Sequence, residues 1–234
     1  GNMSDDNLHA LRSGALWHTF CDSLKTAGDE ILAQGVPGDD LTRAEGYRYL
    51  TRLLRLSLEK HIEFGDPRCP LFYSLSHETA KIGNDNPDNY YLNCAVDGNL
   101  DYRICGNRGT VDYLSIESKA GSFAGGGAMA PTGPITLDDL AGDDEGNFEL
   151  LVSSRRQAGN WLPMTADTDN LLVRQTFRDR RLERKAEFSI ECLNAGRAPV
   201  LYPDEFVADL HGVVPFVTGT AGLFRQWMGV FSEH

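Results

Sequence analysis

Two arginines set inside strand-like runs are the residues of this chain that most need a chemical explanation. Arg103 lies between Tyr102 and Ile104, and Arg174 follows Leu172 and Val173. A guanidinium in such a run either points to water or meets a carboxylate, a carbonyl or a bound anion, because burying an unpaired charge is costly. Tyr90, Tyr91, Tyr102, Tyr113 and Trp161 add flat apolar faces with polar tips, and Asn84, Asn86 and Asn89 add amides. Together these groups can line a pocket for a small oxygenated or anionic molecule. The candidate ligand-binding set is Glu45, Arg48, Asn89, Tyr91, Arg103, Trp161 and Arg174. In it the arginines orient an oxygen, Trp161 supplies an apolar wall, and Glu45 or Tyr91 handles a proton. The same residues also fit a buried polar network that orders a sheet protein, so they identify no reaction.

The familiar signatures of other chemistries are missing. There is no G-x-S-x-G, so no serine sits in a nucleophile elbow. No H-E-x-x-H occurs, and His61 and His77 are sixteen residues apart. His77-Glu78 offers a metal ligand or general base, but adjacent residues on a strand point to opposite faces. The cysteines, Cys21, Cys69, Cys94, Cys105 and Cys192, form no C-x-x-C pair and show no zinc spacing. The acidic run Asp138 to Glu145 does not match a calcium loop. The expectation is therefore no metal, no cofactor and five free thiols.

These side chains must be positioned by elements whose signals change along the chain. Leu16, Phe20, Leu24, Ala27 and Ile31 recur at helical spacing, predicting a helix over Leu8 to Gln34 that Gly35-Val36-Pro37-Gly38 stops. A second helix is expected from Thr42 to Phe64. Thr42 and Glu45 form its capping box, and Tyr47, Leu50, Leu54, Leu58 and Ile62 form its apolar stripe. Short β-prone runs follow: 71–75, 89–96, 100–105, 110–116, 148–153, 171–177 and 187–193. Turn residues at Asp97-Gly98-Asn99 and Gly106-Asn107-Arg108-Gly109 join three of these runs into an expected meander. Ala120 to Pro134 reads as a Gly-rich surface loop; it lacks the lysine and Ser/Thr of a phosphate loop. Helical character returns over Pro203 to Phe231, where Val213, Val217, Phe224, Met228 and Phe231 share a face and Pro215 introduces a kink.

The composition narrows the partners. A net charge of −12 opposes binding to nucleic acid or an anionic membrane. Pro215, Thr218, Thr220, Arg225 and Gln226 interrupt the apolar C-terminal segment, so a membrane span is not expected. Met3 to Leu8 carries no basic stretch followed by an apolar one, and with unpaired thiols this gives a cytoplasmic expectation. The expected partners are a small-molecule ligand and, through the C-terminal helices, a second copy of the chain.

One stretch resembles a known family. The run DNPDNYYLNCAVDGNLDYRICGNRGTVDYLSI (Asp85–Ile116) is similar to the bacterial domain of unknown function 1214, often paired with domain 1254. LTRAEGYRYLTRLLR (Leu41–Arg55), GNWLPM (Gly159–Met164) and LLVRQTFRDRRLER (Leu171–Arg184) resemble the same group in the same order. The resemblance implies a β-rich sandwich with attached helices and brings no established catalytic residue with it. The expected fold class is α+β, one domain over residues 3–234. A helical pair (8–64) is expected to pack on an antiparallel β-sandwich-like core (71–194), closed by C-terminal helices (203–231).

Overall fold

Gly14 divides the first helical segment. The computed structural model describes residues 3–32, 38–82, 86–121 and 130–232, with their side chains described between residues 5 and 222. In it α1 (Met3–Ser13) stops at Gly14, whose φ of 79° lies in the left-handed region, and α2 (Ala15–Asp29) starts anew. The helical pair expected at this end is thus three helices, with α3 spanning Asp40–Leu58. The capping box also shifts. Asp39 is the N-cap and accepts the Thr42 amide at 2.9 Å, while Glu45 pairs with Arg48 instead. A carboxylate at the N-cap serves both the free amides and the positive end of the helix dipole, so it displaces the Thr42 alternative.

Among the described residues eight strands form two four-stranded sheets: β1 (Asn89–Ala95), β7 (Thr168–Thr176), β3 (Tyr113–Ala120) and β4 (Ala130–Thr136) in one, and β6 (Trp161–Pro163), β5 (Asn147–Ser153), β2 (Tyr102–Asn107) and β8 (Glu187–Cys192) in the other. All pairings are antiparallel except β5 with β6. The expected meander of the first three strands is not formed. β1 and β3 both flank β7, whereas β2 sits between β5 and β8, so the two turns carry the chain across the sandwich rather than reversing it within a sheet. The Gly-rich stretch contains β4 from residue 130 onward; residues 122–129 lie outside the described set. Pro131 and Pro134 fit there because β4 is an edge strand that need not donate outward. The run 71–75 contributes one bridge, Tyr73 to Asn93, rather than a strand.

Inward residues of both sheets make the main core, among them Ile104, Ile116, Leu150, Leu162 and Val173. Tyr102 is fully buried here, and its hydroxyl accepts the Asp97 amide at 2.8 Å. The C-terminal segment is one helix, α4 (Pro203–Ser232), with Pro215 inside it. Its Val207, Leu210, Val213 and Val214 pack with Leu16, Phe20 and Ala27 of α2. Between the helices and the sandwich lies a third cluster, in which Leu56 and Phe216 meet Tyr73, Leu75 and Ile82. The result is an α+β fold, and among the described residues no helix is long and apolar enough to cross a membrane.

Two substitutions test this account. Leu150→Ala, at a fully buried position, is expected to cost about 2–5 kcal/mol in denaturant unfolding. Asp39→Ala is expected to lower the melting temperature more than Thr42→Ala; the reverse order would restore Thr42 as the cap.

Candidate functional site

Helix α3 does not end in an ordinary turn. Over Glu59–Glu63 it widens into a π turn, closed by the Phe64 amide on the Glu59 carbonyl at 2.8 Å. The extra residue per turn rotates His61 and Ile62 toward α4, a distortion that recurs at functional sites. Ser57, one turn earlier, anchors the arrangement. Its buried hydroxyl donates to the Val213 carbonyl of α4 at 2.7 Å, and its carbonyl accepts from His61 Nδ1 at 2.9 Å. A carbonyl can only accept, so Nδ1 carries the proton and Nε2 of the neutral ring keeps a free lone pair. Gly212 makes room for the ring: a Cβ there would lie 2.8 Å from His61 Cδ2 and 3.1 Å from Nε2. Burial lowers the pKa of His61, with Lys60 beside it acting in the same direction, so the imidazole is neutral at pH 7.

His61 and Ile62 line a cavity of about 530 Å³ where the helical layer meets one end of the sandwich. Its walls come from five places: the π turn, Gly65–Arg68, Asp97 and Leu100 of the β1–β2 turn, residues 195–202 after β8, and the first turns of α4. Arg68, only 11% exposed, is the strut. Its Nε meets Asp66 at 2.8 Å, its Nη2 meets Glu205 at 2.7 Å, and its guanidinium lies 4.9 Å from the Tyr202 ring centroid. Arg197 lies 3.8 Å from the same centroid and also pairs with Glu205. Burial works against ionised Asp66, but its bonds from Arg68 outweigh this and lower its pKa. Nη1 of Arg68 is buried with no acceptor among the described residues.

Asp209 stands apart. Glu205, Asp209 and Gly212 are four and three residues apart on α4 and share one face, which places Asp209 one turn from the His61 ring. Burial raises its pKa, the Asp66 carboxylate adds to the effect, and Arg68 only partly opposes it. The cavity is thus lined by a neutral imidazole and by Asp209, a solvent-exposed carboxylate with no ion pair among the described residues. The neutral imidazole can accept a proton at neutral pH.

The residues expected from sequence to bind a ligand lie elsewhere and fall into three groups. Glu45 and Arg48 pair with each other on the exposed face of α3 at 2.8 Å. Asn89, Tyr91 and Arg174 come together on the outer face of the first sheet. There the Asn89 amide donates to the Tyr91 hydroxyl at 2.7 Å, and Arg174 lies 5.6 Å from the Tyr91 ring and 3.8 Å from Glu117. Arg103 and Trp161 share a row on the other sheet, both in register with Leu151. Arg103 is closed onto Glu191 at 2.7 Å, and the Trp161 indole donates to the Ser153 carbonyl at 3.0 Å. None of the seven lines the cavity. Asn84, grouped with Asn86 and Asn89, lies outside the described residues; the Asn86 side chain accepts the Asp88 amide in a local turn. Sequence reading passed over His61, Arg68 and Asp209. The available signal was Glu205 and Asp209 at helical spacing opposite the apolar stripe of α4.

Compared with known proteins, the chain matches no family model and no curated protein. It is similar to the crystal structure of an uncharacterised protein from Burkholderia cenocepacia, at 47% identity and a TM-score of 0.88 over 94% of this chain. The chain spans 61% of that protein's length. A Vibrio parahaemolyticus protein matches at 13% identity over 65% of this chain and 44% of its own, with a TM-score of 0.39.

The two shifted groups have opposite effects on stability. His61, with its folded pKa below 6.5, leaves stability untouched above that pH; as pH falls below 6.5 the unfolded chain takes the proton first and stability drops. Asp209, with its folded pKa above 3.8, destabilises the fold once it ionises, fully so above its folded pKa. Asp209→Asn should therefore raise the melting temperature at neutral pH and leave it unchanged well below pH 3.8. A lowered melting temperature at neutral pH would mean that Asp209 has a stabilising partner.

Proposed function

We propose that this protein binds a small polar molecule in the cleft between the π turn, the sandwich end and α4. On this reading His61 accepts a proton from the bound molecule, and Asp209 holds the group that gives it. The observation that carries the reading is that one cavity is lined both by His61, whose neutral imidazole is held in one tautomer by the Ser57 carbonyl, and by Asp209, which has no ion pair among the described residues. Ligand sites are typically concave, largely apolar, and furnished with a few such groups. The resemblance of residues 85–116 to domain 1214 belongs to the same proposal and adds no catalytic residue. This cleft is not the pocket expected from Arg103, Arg174 and the residues around Asn89 and Tyr91, which lie on the sheet faces and do not line it. Assembly through the C-terminal helix is the weaker reading, since Val207, Leu210, Val213 and Val217 are already buried within the chain.

The test is a thermal-shift and NMR screen of the whole chain against a library of small amines, polyols and carboxylates. Hits are expected to weaken at least tenfold in His61→Gln and Asp209→Asn, and to persist in Arg103→Met and Arg174→Met. Loss of binding in the arginine variants alone would move the site to the sheet faces.

A further inference from the structure

The outer face of the first sheet carries a second set of polar groups, none of which lines the cleft. Register sets three adjacent rows on it. Tyr91, Arg174 and Ser115 form one, Asn93, Leu172 and Glu117 the next, and Ala95, Asn170 and Lys119 the third. Leu171 and Val173 belong to the core, so Leu172 between them turns outward and is the apolar floor of the set. Neighbouring strands lie about 5 Å apart, and alternate residues of one strand about 7 Å apart. Arg174, Asn93, Glu117 and Lys119 therefore stand around Leu172 within reach of one small molecule.

Two independent observations point to an anion there. The first is charge. Glu117 is shared: Lys119 Nζ meets one of its oxygens at 2.5 Å, and Arg174 Nη1 lies 3.8 Å from the other. One carboxylate against two cations leaves a positive charge in excess, on a chain whose net charge is −12. Lys119 and Glu117 are only 13% and 19% exposed, recessed for charged side chains on a sheet surface, so solvent screens them less. The second is an excess of donors. Arg174 makes no hydrogen bond among the described residues, and at 3.8 Å its pair with Glu117 is electrostatic alone. Asn93 is 5% exposed, and its Oδ1 accepts from Asn170 at 3.3 Å. Its Nδ2, on the side away from Asn170, has no partner among the described residues and is not sealed from solvent. What this face lacks is an acceptor.

We propose that this face is a second binding site, for a small monocarboxylate with a short apolar tail. Its oxygens accept from Arg174 and Asn93 Nδ2, Lys119 supplies charge, and the tail lies on Leu172. A single excess charge and an apolar floor select a monocarboxylate over phosphate. Calorimetric titration of the full chain compares 4-methylpentanoate, 4-methyl-1-pentanol and inorganic phosphate, while NMR follows the side-chain amide of Asn93. The carboxylate is expected to bind and shift that amide, and the alcohol and phosphate to bind about tenfold more weakly or worse. Lys119→Met should weaken the carboxylate roughly fivefold, and Glu117→Gln, which removes the competing anion, should tighten it roughly threefold. Both folds are confirmed by melting, and the amide shift in the unsubstituted chain needs no variant. The proposal is overturned if the Asn93 amide does not move, if the alcohol or phosphate matches the carboxylate, or if Lys119→Met binds unchanged. It is equally overturned if Glu117→Gln fails to tighten binding. Affinity that persists in His61→Gln separates this face from the cleft; affinity lost there assigns the carboxylate to the cleft and sinks the sheet-face site alone.

Discussion

The Ser57 hydroxyl donating to the Val213 carbonyl is the contact on which the rest of the helical layer depends. It is a buried bond between two helices, and its net worth is only about 1 kcal/mol. Its consequence is larger, because losing the partner would strand a polar group in an apolar setting at about 1–3 kcal/mol. The bond fixes α3 against α4 at the point where α3 widens into the π turn, and so sets where His61 and Ile62 point. The Ser57 carbonyl then fixes the imidazole tautomer from the same residue. Packing of Leu56 and Phe216 with Tyr73 carries that registration on to the first sheet.

The sandwich plays a different part. Its outer faces are laced with pairs such as Arg103 with Glu191 and Arg174 with Glu117, all partly exposed. Pairs of this kind contribute roughly 0–1 kcal/mol each. They resolve the question raised by arginines in strand-like runs: the side chains alternate outward, where solvent and a neighbouring carboxylate satisfy them. What the sandwich supplies to the cleft is a rigid end. The Asp97 turn is pinned by the Tyr102 hydroxyl from inside the core, so one wall of the cavity is held by the most buried tyrosine of the chain.

Much of the fold was legible because its signals are local. The alternation of Phe188, Ile190 and Cys192 marked β8, and the three-and-four spacing from Leu16 to Ala27 marked α2. Sheet order was not legible. Nothing in a strand records which strand it will pair with, and the turns that looked like hairpin connectors cross between sheets. β4 was hidden by prolines that only an edge position tolerates. At α3, two capping patterns overlapped within Asp39–Glu45, and the charged one prevailed. The cleft was the least legible part, because its residues come from five separated segments with no shared period, and His61 fell inside a run whose spacing read simply as helix.

That illegibility has a physical cause. A packed core announces itself through repetition, since each element must bury one face. A binding site does the opposite and departs from the local rule at each of its positions. Here three departures coincide: a helix that widens, a glycine in mid-helix where an imidazole needs the space, and a guanidinium nitrogen without an acceptor among the described residues. Each alone is an ordinary imperfection of a folded chain. Their convergence on one cavity of the described residues does not follow from the repetition that builds a core. That convergence is what favours the proposed cleft over the ion-paired arginines of the sheets.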